Sequence, residues 1–566
     1  MSELLKIVSS QYKHLLNRDD EYINSRIMTK SNMLCNESFS FQVLYRNQGE
    51  GFEPVSIRLE TVLPAKAWRV DYVAVQRVTF EGSGNEYESK DPGLYPDVLT
   101  PRPVSPEIVV AKNRRLKNTY FEKGVSATLN AVPDAFQSVW FTLNPNCISL
   151  NTSEYKVKAV MISLNSNEII AEEQFTLTVI DKMLPQQDFY YTNWFHVDCL
   201  CDMFGVKPYS NAFYKIFDKY IRNMTEHCQN TLLLPGFVPA LDTAVGTERM
   251  NVQLVEIENV HGEWVFGFDK MRRFIRHAKK CGIKFFEHSH IFSQWGARNA
   301  PNIYDKSGKR IFGYDTIASS DEYIGFIRAY LKAFLAFAIE EKIEKNIILH
   351  ISDEPEADQL ENYRIVHNGI SDLVKGIPVC DAMFDCSFYE MGLVDQPILH
   401  IESLKEYDDK KCPSIWLYYT GGEEAISGRK IPHTAATTRV IGLLMYKYKA
   451  KGFLQWAYNF YYDRFSFGFA NPMVSPNAYK QMPGITSLCY PTYEHGEVSV
   501  NPSIREMLMG EAMDDYRALK LLETKIGRDA TLTLCEEKIG EINAYTIPEG
   551  EELRELRELI NAKIAE

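Results

Sequence analysis

The spacing of apolar positions changes character once along the chain, near residue 181. Before it, runs such as ESFSFQVLYRN, VSIRLETV, RVDYVAVQRVTF, SVWFTLN, YKVKAVMISLN and EEQFTLTVI alternate apolar with polar positions or are rich in β-branched residues. Successive side chains of a strand point to opposite faces. A period of two therefore predicts half-buried strands and, over residues 1–180, an antiparallel two-sheet β-sandwich. Within it, YPDVLTPRPVSP (residues 95–106) reads as a proline-rich loop too polar for the core. DKMLPQQD, residues 181–188, reads as the joint.

After the joint, short apolar strands alternate with long amphipathic helices, the rhythm of a parallel α/β architecture. The strands are DFYYTNWFHV, NTLLLPGF, IKFFEHSHIF, NIILHISDEP, IPVCDAMF, PILHIES, SIWLYYTGG and GFLQWAYNF. Eight is the number that closes a barrel, so residues 188–524 are expected to form a TIM-like (β/α)8 barrel. Residues 525–566 are expected to be a helical extension packed on barrel or sandwich. The expected fold class is thus α/β, with an N-terminal sandwich and a C-terminal extension. The helix after the third strand should open on a capping box of Ser319 and Glu322. A hairpin over 252–266 should turn at His261 and Gly262. The connections after the fifth and sixth strands are short, which leaves a full helix in each gap open. The loop over 459–500 is long enough to suggest a functional role.

The fourth strand ends in two adjacent acids and a proline, Asp353, Glu354 and Pro355. Catalytic groups of such barrels sit at the carboxyl ends of the strands. Proline also suits the first position of a helix, and helical periodicity follows to Gly376. Acids at that place can equally cap the helix and oppose its dipole. Both readings stand on the local sequence.

Composition narrows the function. The 566 residues carry a net charge of −13, and no long basic stripe offsets it, so nucleic acid is not expected as a partner. No run reaches the length of about eighteen apolar residues that spans a bilayer, so no membrane insertion is expected. The amino terminus shows no basic start followed by an apolar core and cleavage site, so the chain is expected to be cytoplasmic. The eleven cysteines include no CxxC pair and read as buried thiols.

The strand ends collect acids, amides and rings that could line a sugar pocket. Beside Asp353 and Glu354, the candidate substrate-binding residues are Trp194, His196, His288, Trp295, Asp381, Trp416, Tyr418, Trp456, Tyr458 and Asn459. Ring faces stack on the apolar faces of sugars while acids and amides take the hydroxyls. For any single ring, core packing competes with this role, because side chains alternate along a strand. Two-carboxylate glycosidases need their acids about 5 Å apart or wider, across the sugar. Neighbours whose α-carbons lie about 3.8 Å apart are poorly placed to do that. A substrate-assisted division fits better: Glu354 protonates the leaving oxygen, and the sugar's own 2-acetamido group, held by Asp353, attacks the anomeric carbon.

The YPDVLTP stretch, ISDEP after the fourth strand, the late GFLQWAYN strand and PSIREMLMGEAMDDYRAL together resemble glycoside hydrolase family 123, over most of the chain. The resemblance implies an exo-acting, retaining β-N-acetylgalactosaminidase whose adjacent Asp and Glu correspond to Asp353 and Glu354. It also implies a glycan substrate ending in β-linked GalNAc, of the glycolipid type; no cofactor and no metal are expected. The hairpin over 252–266 and the charged C-terminal helix are candidate contacts for a homodimer. Two other readings are a metal-dependent barrel hydrolase using His196, His288, His290, His350 or His400, and a carbohydrate-binding protein without turnover.

Overall fold

The computed structural model describes residues 3–78, 87–101, 124–243, 248–294, 296–421, 427–494 and 497–566. The chain divides into two compact units. The first comprises Met1–Gln187, Ile426–Tyr446 and Asn501–Glu566, and the second comprises Asp188–Ala425 and Lys447–Val500.

In the first unit two five-stranded sheets face each other. One orders Leu5–Ser9, Phe39–Tyr45, Gln137–Leu143, Ala65–Val75 and Gly93–Pro101. The other orders Lys30–Leu34, Ile169–Ile180, Ser153–Ser163, Glu53–Glu60 and Gly124–Ala131. Pairing is antiparallel except where Thr176–Ile180 runs parallel to Lys30–Leu34. The inward positions meet between the sheets, with Phe41, Val43, Ile57, Leu59, Phe141 and Phe175 buried and the Phe41 and Phe141 rings stacked at 5.6 Å.

Two expectations are corrected in this unit. YPDVLTP lies in the strand Gly93–Pro101 and is not a loop, while RPVSP falls outside the described residues. Asp97 is fully buried because Arg505, equally buried, pairs with it at 2.7 Å. A remote partner of this kind satisfies a buried charge and leaves no trace in local polarity. The second correction concerns the helix Ile504–Ile526, which belongs to the first unit with the helices after it, so the barrel does not run on to 524. Amphipathic spacing shows that a helix packs on something and is silent about what.

The second unit is an eight-stranded parallel barrel. Thr231–Leu234, Phe285–His288 and Ile347–Leu349 pair in order, as do Ala382–Met383, Ile398–His400, Trp416–Tyr418, Gly452–Gln455 and Tyr190–Asn193. A parallel bridge between Leu349 and Val379 and a hydrogen bond from the Asn230 amide to the Tyr191 carbonyl join the two sets into a ring. All eight strands expected from the sequence are present. Alternate residues fill the interior, among them Leu233, Ile348, Cys380, Ile398, Trp416 and Leu454. Gly452 is required there, because a β-carbon would lie 2.5 Å from the Trp416 indole.

The outer helices include Asn211–Glu226, Asp269–Lys280 and Leu360–Val374. The long helix Asp321–Glu340 is capped by Ser320, whose hydroxyl accepts from the Tyr323 amide, one residue later than the Ser319 box. The hairpin Glu256–Val260 with Glu263–Gly267 turns at His261 and Gly262 as expected. The fifth and sixth gaps hold only single turns, Ser387–Glu390 and Ile401–Lys405. Among the described residues, no helix is long and apolar enough to cross a membrane.

Candidate active site

The tip of the fourth strand is held open by side chains rather than by a helix. Asp381, immediately before the next strand Ala382–Met383, accepts from the amides of Ile351 at 2.9 Å and Ser352 at 3.0 Å. The Ser352 hydroxyl donates to the Ser293 carbonyl and accepts from the amides of Gly296 and Ala297. The chain then turns through Glu354 in the left-handed region, φ +42°, with its amide donating to the Ala382 carbonyl at 3.0 Å. A non-glycine residue in this region costs roughly 1–2 kcal/mol and needs surrounding contacts to hold it. No helix starts here. A 3-10 turn begins at Ala357, with its own capping box of Glu356 and Gln359, and the α-helix begins at Leu360. Asp353 and Glu354 are therefore not helix caps.

The two acids take different partners. Asp353 accepts from Nε2 of Gln294 at 3.1 Å, and Nε2 of His290 lies 4.0 Å from its other oxygen. Burial, and then the neighbouring Glu354 carboxylate, push the Asp353 carboxyl up to about 7. Glu354 accepts from the Tyr418 hydroxyl at 2.8 Å. Behind Tyr418 the rings of His400 and Phe384 follow at 4.9 and 5.0 Å. Half-buried Trp456 packs against Phe460 and Tyr479, and Tyr479 donates to Asp242 at 3.0 Å.

The other candidates separate by which way the strand turns them. Trp194 is buried, with its indole donating to Glu287 at 2.8 Å and its ring edge-on to His290 and His350. Asp381 is fully buried and positions the strand tip, as above. His196 is locked by Asn459, whose amide group accepts from its N–H and donates to its carbonyl. The His196 ring donates from Nε2 to the Trp456 carbonyl and accepts from Arg249, while Arg249 is paired to Asp198 at 2.6 Å. Burial and the Arg249 charge press His196 down to about 3, so this ring is neutral and structural. Asn459 is likewise a buried clamp.

Three candidates are corrected outright. His288 bonds Tyr330 of the long outer helix, so it faces out of the barrel. Tyr458 accepts from Asn223 of another outer helix and also faces out. Trp416 faces in but sits two residues before Tyr418, at the base of its strand, stacked on Tyr190 at 4.7 Å and bonded to Gln396. Alternation selects the face, and position along the strand selects the depth. Trp295 lies outside the described residues. Gln294, Arg249 and Tyr479 were missed by sequence reasoning, because they stand on irregular segments without periodicity.

Under the acids runs a buried charged row. His350 donates to Glu287 at 3.0 Å and lies 3.5 Å from Asp381. Burial alone would lower the imidazole, but these two carboxylates outweigh it and raise it to about 10.

The model of the glycoside hydrolase 123 catalytic domain matches residues 194–522, more than half of the chain and including both acids. The chain belongs to glycoside hydrolase family 123. A solved family 123 glycoside hydrolase from Clostridium perfringens, described in connection with glycolipid glycan hydrolysis, superposes with a TM-score of 0.72. At 14% identity it covers 99% of this chain and 96% of its own, so the whole architecture is shared, sandwich included. A family 39 glycoside hydrolase from Bacteroides cellulosilyticus reaches a TM-score of 0.30 at 12% identity, covering 83% of this chain and 87% of its own. No curated protein sequence matches. Family 123 membership makes this chain a glycoside hydrolase, with a glycan as substrate.

Proposed function

We propose that the protein is an exo-acting, retaining β-N-acetylgalactosaminidase that works by substrate assistance. The observation that carries this reading is the side-by-side pair at one strand tip, each acid with its own neutral donor and neither used as a cap. Asp381, on the adjacent strand, is fully buried and occupied with backbone amides, so it is unsuited to act as a carboxylate nucleophile.

In the first step the 2-acetamido oxygen attacks the anomeric carbon as the glycosidic C–O bond breaks. Asp353 accepts the amide N–H and stabilises the positive charge of the oxazolinium ring, while Glu354 delivers a proton to the departing oxygen. In the second step Glu354 takes a proton from water, which attacks the same carbon and reopens the ring, so configuration is retained. Burial and the neighbouring Glu354 carboxylate hold the empty-site Asp353 carboxyl up to about 7, and an amide N–H donated by the substrate favours its anionic form. The glycolipid glycan named for the Clostridium perfringens protein supports GalNAc-terminated glycolipid glycans as the substrate class.

The test is hydrolysis of a chromogenic β-GalNAc glycoside beside its β-GlcNAc epimer and an N-deacetylated analogue. The reading expects turnover of the first, slower turnover of the second and none of the third. Equal rates on the acetylated and deacetylated sugars would overturn it.

A further inference from the structure

We propose that His290, His350 and Asp381 form a binding site for one divalent transition-metal ion of the zinc class, in the barrel core beneath Asp353 and Glu354. The three residues are 2%, 1% and 0% exposed, and their ligand atoms all lie within 4.8 Å of one another. Two imidazoles and one carboxylate are a donor set suited to such an ion, leaving a further position open.

The bonding around them points the same way. Neither ring nitrogen of His290 has a hydrogen-bond partner, although both are buried. Orphaned polar atoms in a core are costly and call for an occupant. Nδ1 of His350 stands 3.5 Å from Oδ1 of Asp381, the limit of a hydrogen bond. It is close to the edge of about 3.3 Å that two ligands span on a tetrahedral ion with bonds of about 2.0–2.1 Å. The other nitrogen of His350 donates to Glu287 at 3.0 Å, the carboxylate support that metal-bound imidazoles usually have. Asp381 is fixed by two backbone amides and by Tyr363 at 2.6 Å. The His290 ring has no hydrogen bond to break in turning a nitrogen toward the other two ligands. Trp194 lies edge-on to both imidazoles, 5.4 and 5.7 Å away, and closes the cage with an apolar wall.

No step of the proposed hydrolysis runs through this ion, so the inference stands apart from that reading.

The experiment is calorimetric titration of the chelator-treated, dialysed chain with zinc sulfate, with bound zinc counted by elemental analysis. The wild type should bind one ion per chain more tightly than any surface site. His290→Ala and His290→Gln should each lose that ion, and Glu287→Gln should weaken it ten- to a hundredfold. Replacing the exposed His261 and the half-buried His367 of an outer helix by alanine should leave it unchanged. Circular dichroism of the His290 variants separates lost ligation from lost fold. No zinc on the wild type, or undiminished stoichiometry and affinity in both folded His290 variants, would overturn the site.

Discussion

Tyr418 reaches from the seventh barrel strand to the tip of the fourth and donates its hydroxyl to Oε1 of Glu354 at 2.8 Å. The bond fixes the carboxyl of the proposed proton donor from the opposite wall, and a hydrogen bond to such a group is worth about 1.5–3 kcal/mol. Tyr418→Phe is expected to lower kcat/KM about ten- to a hundredfold with little loss of thermal stability. Steady-state kinetics on the chromogenic β-GalNAc substrate read this directly, and a wild-type rate would detach the hydroxyl from the reaction.

Proton delivery and acetamido assistance are separable by the leaving group. Glu354→Gln should lose about 10²–10⁴ in rate on an alkyl glycoside, whose alcohol must be protonated, and far less on a nitrophenyl glycoside. Asp353→Asn should slow both substrates, since acetamido attack accompanies departure of the leaving group in each. The ratio of kcat/KM between the two substrates is the measurement. An unchanged ratio in Glu354→Gln would remove the acid from Glu354.

Folding stability should carry the imprint of Asp353. Its carboxyl is raised to about 7 in the native protein from an ordinary value of 3.8, so between these pH values the native state holds a proton that the unfolded chain has released. Stability from this group is therefore present in acid and lost as pH rises through the window, at a slope of up to about 1.4 kcal/mol per pH unit, levelling off above 7. Asp353→Asn has no such proton. Its thermal midpoint relative to wild type should climb from pH 4 to pH 7 and then stay flat, whereas a constant difference would contradict the raised carboxyl.

The rim rings divide into those that can meet a sugar and those that cannot. Trp456→Ala should raise KM on the β-GalNAc substrate about tenfold or more, the loss of a stacking face worth roughly 1–2 kcal/mol. Tyr458→Phe and His288→Gln should leave KM unchanged and lower the denaturation midpoint, because their partners Asn223 and Tyr330 lie on outer helices. A KM change in either of these two would mean that it is felt at the pocket.

The strand count, the hairpin and the inward alternation were legible because each is a local period in the chain. Legibility stopped where the deciding contact is remote. Asp97 read as loop because Arg505 lies far along the chain, and Trp416 read as rim because periodicity reports a face but not a height. The acid pair was visible as a motif. That it does not cap the helix follows from where Glu356 and Gln359 start the next turn, which composition could not separate from Pro355 one residue earlier. Gln294 had no signal at all.

The left-handed backbone at Glu354 carries an implication for descendants of this chain. Glycine adopts that conformation without penalty, so replacing the acid by glycine would relieve backbone strain while removing the proposed proton donor. Neutral drift under selection for robustness alone would then favour inert copies at this codon, and β-branched residues would be purged from it for conformational reasons. An acid persisting there in a diverged relative would be a mark of continued selection for turnover.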